Sequence, residues 1–393
     1  MIKLKISEQK HTLLSSSQLY LTLSILFGTW VIYIPQLVEK LNMSESQLGM
    51  VLFFGAVGAL TGTQIGKLAT RKFGEGPLSF YSVVALTIFT IALFVAPSFY
   101  YLSVAMFLNG FSGGLFQVSV NSMVAYIERN QKISIMSTCH GFFSLGAIIS
   151  SGLGTLVLIA LKNPLIHVLL ASALVLILQI IFIKKYYPIK DPKLQLNEPF
   201  IEKNTKNSTL IWLALIAITV MVSEGAIADW SGLFLQDVAL AKNELLGLGY
   251  AGFSLSMTIG RFTGDYFSKK FGALKIIIAG FTIGLAGFTI VLMAHPLLSI
   301  AGFFVVGAGF SIIVPEIYRL SANLKGVEPA SGISFMAGAG YVGFLAGPVA
   351  LGFIAETFGL SVSFIVLFCL VAVGSALSIG LRLSSKLKLA GTQ

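Results

Sequence analysis

Apolar residues run along this chain in blocks of about twenty, separated by short breaks that carry charge, proline or glycine. A helix needs roughly 20 such residues to cross a hydrocarbon core about 30 Å thick. It also satisfies its own backbone where no water can reach. The pattern predicts twelve spans, at 16–38, 47–69, 77–97, 99–126, 133–161, 165–187, 209–235, 245–268, 274–294, 297–322, 329–356 and 361–382. The first run, Leu19 to Val38, is too long for a signal-peptide core and no small-residue cleavage site follows it, so it reads as a retained span. Between the sixth and seventh spans, Pro188, Pro192, Pro199 and four lysines mark a polar linker. The expected organisation is a six-helix bundle at 1–187, a cytoplasmic linker at 188–208 and a second six-helix bundle at 209–393.

Composition narrows the class. Of 393 residues 56% are hydrophobic and 11% charged, against about 25% charged in an ordinary soluble domain. Twelve spans leave no room for a sizeable soluble domain, which excludes a cytosolic enzyme and a DNA-binding module. The formal net charge of +10 is a matter of topology, not of nucleic acid. With a cytoplasmic N-terminus, the inner segments hold 23 Lys plus Arg and the outer loops only Lys40, Lys162 and Lys242. That asymmetry places both termini inside a multi-pass inner (plasma) membrane protein.

Cys139 and Cys369 lie in apolar runs without metal or redox spacing and read as buried free thiols. His11, His140, His167 and His295 are too scattered for a local metal motif, and no Walker-type loop is present, so no metal, cofactor or ATP is expected.

The two halves look like repeats. G-K-L-A-T-R-K-F-G at Gly66–Gly74 reappears as G-D-Y-F-S-K-K-F-G at Gly264–Gly272, and Gly146 matches Gly343 at nearly the same displacement. These residues resemble the major facilitator superfamily, whose loop signature runs roughly G-x-L-A-D-R-x-G. Gly66, Leu68, Ala69, Arg71 and Gly74 follow it, with Thr70 in place of its Asp. The resemblance implies an all-α integral membrane fold of two pseudo-symmetric six-helix bundles.

In the fourth span, L-F-Q-V-S-V-N-S resembles the L-E-T-A-A-N-P motif of the fucose/glucose-type sugar:proton symporters. Asn121 matches, while Gln117 replaces Glu and Ser122 replaces Pro. H-G-F-F-S-L-G-A and S-E-G-A-I-A-D-W, in the fifth and seventh spans, resemble a further bacterial branch of the superfamily. Those symporters couple transport to protons through membrane-embedded carboxylates, a role Gln117 cannot take.

A charge near the bilayer centre costs at least about 2.5–3.5 kcal/mol, so each one needs a reason. Only Glu224, Asp229 and Glu316 lie clearly inside a span, and they are the proton-coupling candidates. Glu224 is the deepest, with no Lys or Arg expected at its depth. A carboxyl there could gain and lose a proton as its surroundings alternate between dry and wet. Asp229, five positions on, is about 140° around the helix and cannot share its face.

Substrate-binding candidates come from polar stripes and aromatics. Gly110, Gly114, Gln117 and Asn121 recur at i, i+4, i+7 and i+11, and their amides suit a hydroxylated ligand. Ser137, His140, Ser144 and Ser151 form a second stripe. Trp30, Tyr33 and Trp230 could stack on a ligand. Arg71, Arg261, Asp265 and Arg319 are conformational latch candidates, with Asp265 spaced i+4 from Arg261 and Arg319 i+3 from Glu316. Glu128 and Arg129 form a further expected pair.

The chain is therefore expected to be a secondary transporter, monomeric in the lipid bilayer, moving a small polar solute by alternating access with protons as partners. The alternatives are a proton-driven exporter of amphipathic drugs or a siderophore-like metabolite and, from another class, a membrane-embedded enzyme or sensor.

Overall fold

A computed structural model describes residues 2–33, 37, 40–43, 45–161, 163–191, 208–242, 245 and 248–383. Among these are thirteen α-helices and no strand: α1 Ile2–Ile32, α2 Glu45–Phe73, α3 Glu75–Phe94, α4 Phe99–Gln131, α5 Met136–Leu161, α6 Pro164–Tyr186, α7 Ser208–Leu233, α8 Leu248–Phe271, α9 Ala273–Val291, α10 Pro296–Phe310, α11 Ile313–Ala322, α12 Pro329–Phe358 and α13 Leu360–Leu383. A π-helical turn, Phe234–Val238, extends α7. Eight stretches of the described residues are long and apolar enough to cross a membrane: α2 from Met50, α3, α4, α6, α7 with its π turn, α9, α10 with α11, and α13. The expected span at 245–268 is helical in α8, which also carries Arg261, Asp265, Lys269 and Lys270. Most of the expected linker, 192–207, lies outside the described residues.

The chain forms two compact units. One comprises residues 1–135, 142–200 and 333–337; the other comprises 136–141, 201–332 and 338–393. The first turn of α5 thus belongs to the second unit, and the rest of that helix to the first.

Within the first unit, α2 and α4 meet through glycine. A Cβ on Gly58 or Gly62 would come within 2.1 Å of the carbonyl oxygens of Phe107 and Phe111. A Cβ on Gly110 or Gly114 would lie 1.9 and 2.3 Å from those of Gly55 and Ala59. Lipid tails are as apolar as leucine, so close backbone packing is what drives such helices together. Half of the α4 stripe is therefore a seam between helices.

The start of α3 is fixed by the chain that follows α6. A Cβ on Gly76 would sit 2.2 Å from the Tyr186 carbonyl oxygen, and the Gly76 amide donates to the Ile189 carbonyl (2.9 Å). The Asp191 amide donates to Glu75 Oε2 (2.9 Å), and the Asp191 carboxylate pairs with Arg129 (2.7 Å). The expected Glu128–Arg129 pair is thus corrected: Glu128 instead accepts from the Ile135 amide (2.7 Å). Consecutive residues of a helix do not face each other, whereas both side chains reach loop groups.

In the second unit, the expected tenth span is broken at Ser311–Ile312, between α10 and α11. Pro315 has no amide hydrogen, so it cannot donate to the Ser311 carbonyl four residues earlier. The next bond, Glu316 amide to Ile312 carbonyl (3.1 Å), restarts the helix.

Candidate functional site

In the first unit the polar centre lies between α1 and α4. Tyr20 donates its hydroxyl to Asn121 Oδ1 (2.7 Å), and the Asn121 amide group donates to the Gln117 carbonyl (2.7 Å). Tyr20 and Asn121 are buried, while Gln117 is half-buried. Asn121 therefore spends its oxygen and one of its donors on the protein, and Gln117 is the stripe residue whose side chain is less enclosed. Tyr20 was not among the sequence candidates, because nothing in a one-dimensional pattern pairs positions 101 residues apart. Tyr20→Phe leaves the buried Asn121 oxygen without this donor, at about 1–3 kcal/mol. A clear fall in melting temperature with the α-helical content unchanged is the expected result, measured by thermal unfolding of the purified protein.

Trp30 and Tyr33 do not form an open stacking platform. They are buried in a cluster with Leu37, Leu93, Phe94 and Val168. Tyr33 meets Phe94 edge-on, with centroids 5.5 Å apart, and its hydroxyl lies 3.1 Å from His167 Nδ1. Arg71 sits in the last turn of α2 in this unit.

In the second unit, α7 presents Glu224 half-buried, with Oε1 enclosed and without a hydrogen-bond partner. Asp229 is exposed, so it does not share Glu224's setting. Trp230 is half-buried, its indole nitrogen enclosed without a hydrogen-bond partner. The ring lies close enough to α12 that a Cβ on Gly352 would be 3.4 Å from it.

Asp265 organises the latch residues of this unit. Its carboxylate accepts from the amides of Ser137 (3.1 Å) and Thr138 (2.7 Å), and from the Thr138 hydroxyl (2.6 Å). An acid at the start of α5 complements the exposed amides and positive end of that helix. Asp265 also pairs with Arg319 (2.7 Å), which donates to Ser268 (2.7 Å) and pairs with Glu316.

Glu316, the third proton-coupling candidate, is fully buried in this pair. Both lie on α11 at i and i+3, which puts them on one face of that helix. His140 is buried and stacks on Tyr318, with centroids 5.8 Å apart and planes 14° apart. The arrangement joins three of the four latch candidates, Arg261 through the Ser137 hydroxyl, which donates to its carbonyl (2.8 Å).

The family model of the Major Facilitator Superfamily matches residues 17–242 and 240–390. The chain belongs to this superfamily. It is a membrane transporter, not an enzyme. The chain is similar to the membrane protein MosC of Rhizobium meliloti, 26% identical over 354 residues that cover 89% of this chain and 84% of that one. The glucose/mannose transporter GlcP of Bacillus subtilis is 33% identical over 119 residues, 29% of this chain and 28% of its own. The multi-drug resistance efflux pump PmrA of Streptococcus pneumoniae is 23% identical over 313 residues, 77% of each chain. Among solved structures, FucP in the outward conformation aligns with a TM-score of 0.80 at 16% identity, covering 94% of this chain and 98% of that one. A likeness at that identity carries the superfamily fold.

Proposed function

We propose that this transporter takes up a small hydroxylated solute together with a proton, by alternating access, across the inner (plasma) membrane. In this reading the chain crosses twelve times as two six-helix bundles, with both termini cytoplasmic, and works as a monomer. Glu224 is the proton site. The observation that carries the proposal is its enclosed carboxyl oxygen, which has no hydrogen-bond partner. An acid so enclosed can hold a proton while its surroundings are dry and release it once water reaches it. Gln117 supplies donors and acceptors to solute hydroxyls, and Asn121 and Tyr20 hold it in place. Trp230 offers an apolar ring face. The local likeness to a glucose/mannose transporter and the shared fold with a fucose:proton symporter support a sugar as the first solute to test.

Proteoliposomes offered D-glucose, D-mannose or L-fucose from the outer medium provide the test. With an imposed inward proton gradient, accumulation of one of them is expected. Glu224→Gln should keep solute exchange at equilibrium and lose at least about 10-fold in gradient-driven accumulation, the loss that corresponds to removing an effect of about 1.4 kcal/mol. Accumulation that ignores both the substitution and an uncoupler rules out Glu224 as the coupling site. The longer match to an efflux pump favours export of amphipathic cations as the second reading. It predicts expression-dependent resistance to such compounds and no sugar exchange.

A further inference from the structure

We propose that Glu75 is a proton-binding switch that fastens the root of the linker to α3 and α4. In the proposed topology it senses cytoplasmic pH, separately from Glu224. Glu75 is 1% exposed at the first residue of α3, just ahead of the expected span at 77–97. Its Oε2 accepts from the Asp191 amide (2.9 Å), while its Oε1 is enclosed without a hydrogen-bond partner.

A helix start normally offers an acid several unpaired amides. Here the three residues after Glu75 have none to give. The Gly76 amide donates to the Ile189 carbonyl (2.9 Å), residue 77 is proline, and the Leu78 amide donates to the Gly74 carbonyl (3.1 Å).

Neighbouring charges do not make up the difference. Arg129 at the end of α4 pairs with Asp191 (2.7 Å), so one cation stands against two acids. Glu128 is turned to the Ile135 amide (2.7 Å). On α2, Arg71 is half-buried in the last turn and Lys72 lies over the Phe73 ring, 5.6 Å from its centroid. After α6, Lys190 is exposed and lays its aliphatic carbons against Gly74, whose Cβ would be 2.6 Å from Lys190 Cγ. The hydroxyls of Tyr81 and Tyr187 bond each other (3.2 Å), and that of Tyr186 donates to Gln179 (2.6 Å).

A buried charge without full compensation is costly enough that the group takes up a proton instead. One proton on Glu75 makes the set of two acids and one arginine neutral, and it leaves Oε2 as the acceptor for Asp191. Loss of that proton creates a carboxylate oxygen that calls for water, and water enters when the chain at 186–191 lifts away. A group that holds its proton in the fastened state stabilises that state at low pH, and the stabilisation is lost as pH rises. The strap therefore opens on the alkaline side. The turn itself does not require a strap. Gly272 has φ +84° against +87° at Gly74 and is followed by Ala273, yet a Cβ on Gly272 would meet nothing within 4 Å.

Hydrogen exchange of the purified full-length protein, read by mass spectrometry from about pH 5.5 to 8.5, tests the switch, since an ordinary carboxyl has already lost its proton there. Labelling times are scaled to the intrinsic exchange rate at each pH. Protection of 186–191 should fall as pH rises, by up to about tenfold per pH unit, the limit for one proton. Protection of α9 should stay constant. Glu75→Gln keeps an acceptor for the Asp191 amide and balances the charges, so protection of 186–191 should stay high at every pH. Asp191→Asn keeps the amide donor and also balances the charges, so its profile should be flat as well.

Gel filtration and thermal unfolding identify a variant that does not fold, and the other then carries the comparison. A flat wild-type profile overturns the proposal. A fall in Glu75→Gln that parallels the wild type overturns Glu75 as the switch. A flat Glu75→Gln beside an unchanged fall in Asp191→Asn overturns charge balance as its cause. None of these readings depends on the solute or on Glu224.

Discussion

Gly110→Leu should yield almost no folded protein. A Cβ at this position would stand 1.9 Å from the Gly55 carbonyl oxygen, and the Ala59 amide nitrogen lies 3.1 Å away. Both contacts are backbone, so no side chain can swing aside and α2 must back away from α4. Separating the helices also undoes the contacts around Gly58, Gly62 and Gly114, because the four glycines share one crossing. Overpacking in a soluble core typically costs about 1–3 kcal/mol. Here the whole seam opens, so the loss should exceed that range, against a total stability of about 5–15 kcal/mol. The yield of monodisperse protein after detergent extraction is the measurement. Gly113→Leu is the control on the same helix, since its Cβ position meets only the flexible end of Leu86, at 3.9 Å. Equal yields for the two variants would mean that the α2–α4 seam does not hold the unit together.

That contrast shows what sequence could and could not reveal. The stripe Gly110, Gly114, Gln117 and Asn121 was visible because helical period alone puts those residues on one side. Which part of the stripe meets another backbone depends on the angle at which α2 crosses α4, and no periodicity records that angle. The apolar runs located the helices, since length and hydropathy are local properties. The break at Ser311–Ile312 was only half legible: Pro315 announced a freed carbonyl, but its donor came from Arg261, 50 residues away. Arg261, Asp265, Glu316 and Arg319 drew notice as charges in apolar surroundings, and spacing suggested partners along each helix. The structure sends Asp265 to a different helix and to the amides of Ser137 and Thr138. Trp30 and Tyr33 show the same limit. An aromatic in an apolar span looks the same from the sequence whether its neighbours are Leu93 and Phe94 or an open site.

Arg319→Met should be the most damaging single change in the second unit. Arg319 neutralises Asp265 and Glu316, whose side chains are about a tenth exposed and fully buried respectively. Methionine fills similar apolar volume but leaves two carboxylates with their main cation gone. Removing one partner of a buried ion pair costs about 3–5 kcal/mol, because the remaining charge is stranded away from water. The two acids should not fare alike. Asp265 keeps three donors from Ser137 and Thr138, so it can remain charged at the start of α5. Glu316 has its ion pair with Arg319 and sits beside Pro315, where the preceding turn of helix is already interrupted. The damage should therefore concentrate on α11. Hydrogen exchange is expected to rise across Ile313–Ala322 more than across Met136–Gly141, together with a large fall in melting temperature. Glu316→Gln in the Arg319→Met background removes the stranded charge and should recover a substantial part of that loss, whereas Asp265→Asn should recover little. Equal recovery by the two second-site changes would show that the pairs act as one undivided charge cluster, with α5 and α11 equally dependent on Arg319.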